Sequence, residues 1–322
     1  MGRKPHRSRS VNLIFGLAKM GILMSFAFTL SYLVVKAYDY GSSVSLSTFY
    51  TKTLPYSEMA LNFLNTTPLG HLEPEVASLQ DKRPDATLKR GVLRVALLAD
   101  SHDDFDNLQL ALKKSVAYQA DLAIFLGDYT SVGVKEGLQQ AKELMDTSAI
   151  PYHSLPGDHD LWKSGGLTNF VSIFGTINHF EDVNGYRFII FNNSDTQAGV
   201  SESDIQWLED TLGASTGPSL IFMSNPLYNT NSFKLMGENE EVVLAQAQRL
   251  LKLIRLYDVR GVFAGDNHLS SVSADPEKAT LTHYVIGALT NDRNLQSPRF
   301  SILDIYDPNS FKVTEIVLNP ER

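Results

Sequence analysis

Two hydrophobic patterns divide the chain. Near its start, Val11–Val35 is an almost uninterrupted apolar run in which Lys19 is the only charged residue. From Leu93 onward, short apolar runs alternate with longer segments in which apolar residues recur every three or four positions. The short runs are typical of buried strands, and the longer spacing is typical of amphipathic helices. The pattern therefore predicts an apolar segment, a linker and an α/β domain, in that order.

A membrane anchor is the favoured interpretation of the first apolar run. A helix needs about 20 apolar residues to cross a bilayer core, and this run is long enough. Residues 1–10 carry four basic side chains and no acidic one, and under the positive-inside rule they would stay in the cytoplasm. We predict a basic cytoplasmic head at 1–10, a transmembrane anchor at 11–36 and a domain outside the cytoplasm. A cleaved secretory signal is the alternative, and it would export the domain equally.

Residues 37–90 are predicted to be a juxtamembrane linker, and residues 91–322 to be the folded domain. The domain opens with strand, helix, strand, helix and strand, which favours parallel strands joined by helical crossovers. The last three strands are predicted to be antiparallel. The predicted strands are 93–100, 121–128, 150–155, 186–194, 219–226, 259–265, 282–289, 300–307 and 311–318, and the predicted helices are 105–119, 134–147, 204–212 and 240–258.

Composition and charge exclude some kinds of site and some kinds of partner. The chain has 322 residues, no cysteine and a net charge of −8. The lack of cysteine excludes disulfides and zinc–thiolate sites. An acidic domain lacks the basic face that long nucleic acids require, so no such partner is expected.

Several predicted strands end in a polar cluster, in the stretches "LLADSH", "FLGDY", "LPGDHD", "FMSNP" and "FAGDNH". Ligands bind beyond the carboxyl ends of strands in α/β sheets, so these clusters are expected to meet at one edge. Each motif alone is as easily a turn or a helix cap, but their shared position predicts a metal site. The candidate residues are Asp100, His102, Asp128, Asp158, His159, Asn225, Asp266 and His268.

The order of these motifs resembles that of the calcineurin-like metallophosphoesterase superfamily, whose pattern is D-x-H, G-D, G-N-H-[DE], a later histidine and G-H-x-H. The resemblance covers roughly residues 92–290. It implies a four-layer α-β-β-α sandwich and a centre of two divalent ions. It also implies the hydrolysis of phosphomonoesters or phosphodiesters.

The resemblance divides the candidate ligands into an intact set and an altered set. The intact set would hold a first ion, Mn, Fe or Zn, and consists of Asp100, His102, Asp128 and His268. The altered set would hold the second ion and consists of Asp128, Asp158, Asn225 and Asp266. Asp158 stands where the family has asparagine, and Asn225 and Asp266 stand where it has histidine. An oxygen-rich set suits Mn²⁺ or Mg²⁺, so these are the predicted second ions.

The remaining site residues take their predicted roles from the same resemblance. His159 corresponds to the family's non-ligand histidine and would donate a proton to the leaving oxygen. Asp160 would cap the next helix or orient His159, and the cap is favoured. Trp162 and Tyr228 are candidates for contacting the substrate.

The altered second set leaves two other functions open. One is a degenerate family member that binds a ligand or partner without hydrolysis. The other is a calcium-dependent binding module, which the oxygen-rich cluster favours. The calcium module leaves His102, His159 and His268 unexplained, so the membrane-anchored phosphoesterase is the leading prediction.

Overall fold

The computed structural model describes residues 92–163, 166–232 and 234–319. The predicted cytoplasmic head, membrane anchor and linker lie outside these residues and remain predictions. Within the described ranges, no helix combines the length and the hydropathy that a membrane span requires.

The strands match the short apolar runs of the sequence. In chain order they are β1 (Leu93–Leu98), β2 (Leu122–Phe125), β3 (Tyr152–Ser154), β4 (His179–Val183), β5 (Tyr186–Ile190), β6 (Ser219–Phe222), β7 (Val259–Ala264), β8 (Ser271–Ala274), β9 (Thr282–Val285), β10 (Arg299–Asp307) and β11 (Ser310–Val317).

The helices lie between these strands. They are α1 (Phe105–Ala117), α2 (Lys135–Thr147), α3 (Asp158–Leu161), α4 (Thr168–Phe174), α5 (Glu202–Gly213) and α6 (Glu241–Leu256). Asp104 caps the start of α1, where its side chain accepts a hydrogen bond from the Asn107 backbone N–H. Ser201 caps the start of α5 and accepts from the Asp204 backbone N–H. Such side-chain caps satisfy backbone donors that a helix leaves free at its start.

The strands form two mixed sheets. The first has the order β11–β10–β1–β2–β3, in which β1, β2 and β3 are parallel and β10 and β11 are antiparallel to their neighbours. The second has the order β4–β5–β6–β7–β9–β8, in which β5, β6, β7 and β9 are parallel and the two edge strands are antiparallel.

The two sheets pack face to face, with helices on both outer faces. Side chains from β1 and β2, including Leu97 and Ile124, share one core with Phe188, Phe222 and Phe263 of the second sheet. A second core joins the other face of β1 and β2 to α1, α2 and α4. A third joins the second sheet to α5 and α6. The four layers α-β-β-α are those implied by the family resemblance.

The fold confirms most of the predicted elements and corrects some of them. The antiparallel prediction holds for β10 and β11 but not fully for β9, which is parallel to β7. The chain leaves β7, forms β8 and returns as β9 between the two, so an antiparallel hairpin with β8 makes β9 parallel to β7. The elements β4, β8 and α4 were not predicted, and the "GDHD" stretch forms the short helix α3 instead of an open loop.

Candidate metal centre

Strand ends from both sheets supply the candidate ligands. In the first sheet, Asp100 follows β1, Asp128 follows β2, and Asp158 begins α3 shortly after β3. In the second sheet, Asp266 and His268 follow β7. The loops after β1 and β2 are joined directly, because the Asp100 N–H donates to the Gly127 carbonyl at 3.0 Å and the His102 N–H donates to the Asp128 carbonyl at 3.1 Å.

The backbone is left-handed at many of these positions. The φ angles are 55° at Asp100, 43° at His102, 62° at Asp128, 65° at Asp266 and 57° at His268. Residues other than glycine rarely adopt such angles, and strained backbone concentrates at functional sites. The left-handed φ angles therefore indicate that these loops form a candidate functional site.

A close approach between two loops explains the glycine of "GDHD". A Cβ atom added to Gly157 would lie 2.0 Å from the Asp128 Oδ1 atom. Its neighbour across the loop, Gly127, has a φ of 109° and would place a Cβ 2.9 Å from the Gly157 Cα. These two glycines therefore let the loops after β2 and β3 approach each other closely enough for Asp128 and Asp158 to meet.

The histidine half of the site consists of Asp100, His102 and His268, whose ligand atoms lie within 4.8 Å of one another. The Nε2 atoms of His102 and His268 are 2.9 Å apart. The His268 Nε2 is 3.8 Å from Asp100 Oδ1, and the His102 Nε2 is 3.7 Å from Asp128 Oδ2. The four residues of the intact set therefore surround one small volume.

The carboxylate half of the site consists of Asp128, Asp158 and Asp266, whose ligand oxygens also lie within 4.8 Å of one another. Asp128 borders both halves, as the resemblance implies. Asn225 is buried on the loop after β6, and its amide nitrogen donates to the Asn193 carbonyl at 2.7 Å. That bond fixes the Asn225 amide through its nitrogen, and the binding of an ion by its oxygen remains a prediction.

The buried oxygens of the cluster fit a bound cation. Asp100 Oδ2 and Asp158 Oδ1 are buried, and neither has a hydrogen-bond partner among the described residues. Buried carboxylate oxygens without partners are costly and call for an explanation. A divalent ion among oxygen and imidazole ligands would satisfy both atoms.

Burial, together with crowding of the carboxylates, raises their pKa values. Burial, followed by repulsion from Asp266, raises the pKa of Asp100 well above its ordinary value. Burial, followed by repulsion from Asp100 and Asp158, does the same for the pKa of Asp128. Like charges held this close favour protons or cations among them, which is the electrostatic requirement of a metal site.

The two imidazoles of the histidine half are held neutral. Burial, followed by the proximity of His268, lowers the pKa of His102 to about 2. Burial, followed by repulsion from Lys234, lowers the pKa of His268 to about 4. A metal binds only the neutral imidazole, so both rings are in the required state at neutral pH.

His159 lies beside the cluster with its ring fixed by the backbone. Its Nδ1 atom is 2.7 Å from the Ser131 carbonyl oxygen, which can only accept, so Nδ1 carries a proton. Its backbone N–H donates to Asp128 Oδ1 at 3.0 Å. The ring stands edge-on to that of His102 at 4.7 Å, and one of its nitrogens groups with His102 and Asp128 within 4.8 Å. The bond to Ser131 occupies Nδ1 and leaves Nε2 as the ring nitrogen that can accept or release a proton.

Asp160 acts as a cap, in agreement with the favoured prediction, but it caps its own helix. Its carboxylate accepts from the Gly157 N–H at 3.1 Å, at the start of α3. It also accepts from the backbone N–H groups of Tyr129 and Thr130, at 3.1 and 2.9 Å. Burial raises its pKa to about 6. Asp160 therefore ties the loop after β2 to the helix that carries His159.

A cavity of about 440 Å³ opens beside His159. Trp162 lines it, and the Trp162 ring stands edge-on to His159 at 5.7 Å. The loop at 194–197 forms much of the remaining lining and was not predicted from the sequence. Tyr228 lies elsewhere, with its ring 5.3 Å from that of His283, and its contact with the substrate remains a prediction.

Lys234 is the site residue for which the sequence offers no motif. Its ammonium nitrogen lies 3.0 Å from Asp266 Oδ1. The only signal in the sequence is a single basic residue in the long segment between β6 and α6, where neither periodicity nor spacing distinguishes it from a surface lysine.

Comparison with known proteins agrees with this geometry. The sequence model of the calcineurin-like phosphoesterase family matches residues 93–270. The chain belongs to this family of metallophosphoesterases. No curated protein sequence matches the chain significantly.

Solved structures share the fold at low sequence identity. A dimetal phosphatase from Danio rerio is 13% identical with a TM-score of 0.54, over 69% of this chain and 98% of that one. GAP50, the anchor in the inner membrane complex of Plasmodium, is 14% identical with a TM-score of 0.54, over 72% and 87%. The purple acid phosphatase PPD1 from yellow lupin seeds is 13% identical with a TM-score of 0.53, over 73% and 53%. These likenesses concern the fold alone.

Proposed function

We propose that the chain is a metal-dependent phosphoesterase that hydrolyses phosphomonoesters or phosphodiesters at a centre of two divalent ions. The observation that carries the proposal is the convergence of ligand side chains from both sheets around buried carboxylate oxygens that lack hydrogen-bond partners in the described chain. Membership of the metallophosphoesterase family supports the same reaction class.

The first ion, Mn, Fe or Zn, belongs to Asp100, His102, Asp128 and His268. The second, Mn or Mg, belongs to Asp128, Asp158, Asn225 and Asp266. Bound ions of this kind neutralise phosphoryl oxygens and lower the pKa of a coordinated water. Imidazole ligands on one side and oxygen ligands on the other support the assignment of a softer ion to the first position.

His159 is the residue that donates a proton to the leaving oxygen. Because Nδ1 is held by the Ser131 carbonyl, the Nε2 atom is the one free to exchange a proton with a leaving oxygen. Asp160 holds the helix of His159 against the loop of Asp128, which fixes the distance between the proton donor and the ligands. Trp162 and the loop at 194–197 bound the space that an alcohol or ester group would occupy.

The location follows from the N-terminal sequence. The apolar run Val11–Val35 and the basic head at 1–10 support a single membrane anchor at 11–36 with its N-terminus in the cytoplasm. The catalytic domain would then act outside the cytoplasm, on a phosphate ester at the membrane or in its surroundings.

A second candidate function is binding without hydrolysis. It is favoured by the altered ligands, because Asp158, Asn225 and Asp266 all fall on one ion position. One protein of the same fold, GAP50, is an anchor in a membrane complex. A member of the family with such a role would keep the fold and bind an ion or partner without turnover.

A turnover assay separates the two functions. The full-length chain is stripped of metal and given Mn²⁺, Mg²⁺, Ca²⁺ or Zn²⁺ singly, with a chromogenic phosphomonoester or phosphodiester. We expect turnover with Mn²⁺ and a loss of about 10²–10⁴-fold in kcat for His159→Ala, the usual value of general acid–base catalysis. Binding of Mn²⁺ should persist in this variant.

His179→Ala on β4 is the matched control, because the His179 ring bonds to His153 and not to the cluster. It should keep full turnover. A folded wild-type chain that binds Mn²⁺ but turns over neither ester with any ion would refute hydrolysis and favour the binding function.

A further inference from the structure

Lys234 reaches the carboxylate half of the centre from the loop that follows β6. Its ammonium is 3.0 Å from Asp266 Oδ1 and donates to the Asp266 backbone carbonyl at 2.7 Å. The Lys234 carbonyl in turn accepts from the Asn267 side chain at 3.3 Å. Three contacts thus tie this lysine to the turn that carries Asp266, so its position is built into the fold.

The environment of Asp266 differs from that of the other candidate ligands. Asp100 Oδ2, Asp158 Oδ1 and Asp266 Oδ1 are all buried oxygens without a hydrogen-bond partner in the described chain, but Asp266 Oδ1 lies 3.0 Å from the Lys234 ammonium. Asp266, whose side chain is only 9% exposed, faces a cation supplied by the protein. A lysine ammonium is fully charged at neutral pH. One ligand of the second ion position is therefore already paired with a positive charge.

The two halves also differ in where that charge lies. The ammonium of Lys234 directly contacts the carboxylate half, through Asp266. In the histidine half the ligand atoms contact one another, with the Nε2 atoms of His102 and His268 2.9 Å apart and His268 Nε2 3.8 Å from Asp100 Oδ1. A divalent ion in the carboxylate half would be repelled by the adjacent ammonium and would have to compete with it for Asp266. Interactions between charges at such distances are strong when the site is largely removed from water.

We propose that Lys234 is a resident competitor of the second ion. The chain binds one divalent ion tightly in the histidine half, and binds a second one weakly because Lys234 already neutralises Asp266. The inference rests on the metal centre proposed above, but it concerns ion binding and not turnover. The lysine side chain is 47% exposed, so a second ion that enters displaces the ammonium toward solvent and breaks its contacts with Asp266.

Mn²⁺ titration of the full-length, metal-stripped chain tests this proposal, with calorimetry for affinity and electron paramagnetic resonance for paired Mn²⁺ ions. Wild type should bind one equivalent tightly and a second at least tenfold more weakly. Lys234→Met, which keeps most of the side-chain length but removes the charge, should tighten the second equivalent by at least tenfold. It should leave the first nearly unchanged.

Two controls match the variant. Lys234→Arg keeps the charge and should keep the weak second site. Lys252→Met removes a lysine from an exposed position on α6 and should bind as wild type does. Thermal unfolding of each variant verifies that it is folded.

An unchanged or weaker second equivalent in Lys234→Met would overturn the proposal, as would two equally tight equivalents in wild type. Failure of the proposed phosphoesterase function is a separate result. A chain that shows the expected titrations but no ester hydrolysis would retain the role of Lys234 and lose the enzymatic one.

Discussion

The two halves of the centre are built from similar strand ends but differ in chemistry. The histidine half joins Asp100 to two buried neutral imidazoles whose Nε2 atoms are 2.9 Å apart. The carboxylate half joins Asp158 to Asp266, and Asp266 lies 3.0 Å from the ammonium of Lys234. Asp128 borders both halves.

The difference indicates that the two ion positions are not equivalent. A set with imidazole nitrogens holds transition metals firmly, whereas an oxygen-only set holds hard ions and exchanges them more readily. Departures from the family pattern confined to one half are therefore expected to change the ion preference of that half, while the fold that positions the ligands is kept.

Substitution of Asp128 should have the largest effect, because it removes the residue that both halves share. Asp128→Asn should lower metal-dependent hydrolysis by about 10³-fold or more, since the stabilisation lost is several kcal/mol. The variant should also bind both ions more weakly in a Mn²⁺ titration. Asp106→Asn, at an exposed position in the first turn of α1, is the control and should behave as wild type. Equal loss in both variants would contradict the shared role.

A methyl group at Gly157 should disturb the centre from outside the ligand set. Gly157→Ala would place its Cβ 2.0 Å from Asp128 Oδ1, so the loops after β2 and β3 must separate. We expect metal affinity to fall about 10–100-fold, and the free energy of unfolding to fall by about 1–3 kcal/mol.

Gly213→Ala is its control, since a Cβ there meets nothing closer than 3.6 Å. It should be neutral or slightly stabilising. Normal Mn²⁺ binding by Gly157→Ala would show that the close approach of the two loops is not required.

One ligand from each half, His268 and Asp266, should respond to pH with opposite signs in the metal-free chain. His268 has its pKa lowered from 6.5 to about 4, chiefly by burial. The stability that it contributes as a neutral ring is therefore fully present above pH 6.5 and is lost as the pH falls toward 4, by about 3 kcal/mol. Asp266 has its pKa raised, chiefly by burial. Its contribution is fully present below the ordinary value of 3.8 and is lost as the pH rises through the raised pKa.

Chemical denaturation measured against pH checks both signs. His268→Gln should reduce the loss of stability that occurs as the pH falls from 6.5 to 4. Asp266→Asn should reduce the loss of stability that occurs as the pH rises above 3.8. Identical pH profiles for the two variants would contradict the opposite pKa shifts of His268 and Asp266.

The ligands could be predicted because the end of each buried strand is visible in the sequence as the end of an apolar run. The apolar run of β1 stops before Asp100 and that of β2 before Asp128, and parallel strands bring their carboxyl ends together. The left-handed backbone at Asp100 and Asp128 could not be predicted, because it arises from the junction between the two loops.

Features that depend on contacts distant in sequence were missed. Lys234 meets Asp266 across 32 residues, and no local pattern connects them. The strand β4 is short and partly exposed, with alternate positions open to solvent, so its apolar signal is weak. The direction of β9 depends on its pairing with β8 and β7, which apolar periodicity alone does not encode.

Anomalous X-ray scattering from crystals of the Mn²⁺-loaded chain would locate each bound ion among its ligands. We expect a strong peak surrounded by Asp100, His102, Asp128 and His268, and a weaker one bounded by Asp128, Asp158 and Asp266. The absence of any peak within these ligands, or a stronger peak in the carboxylate half, would contradict this expectation.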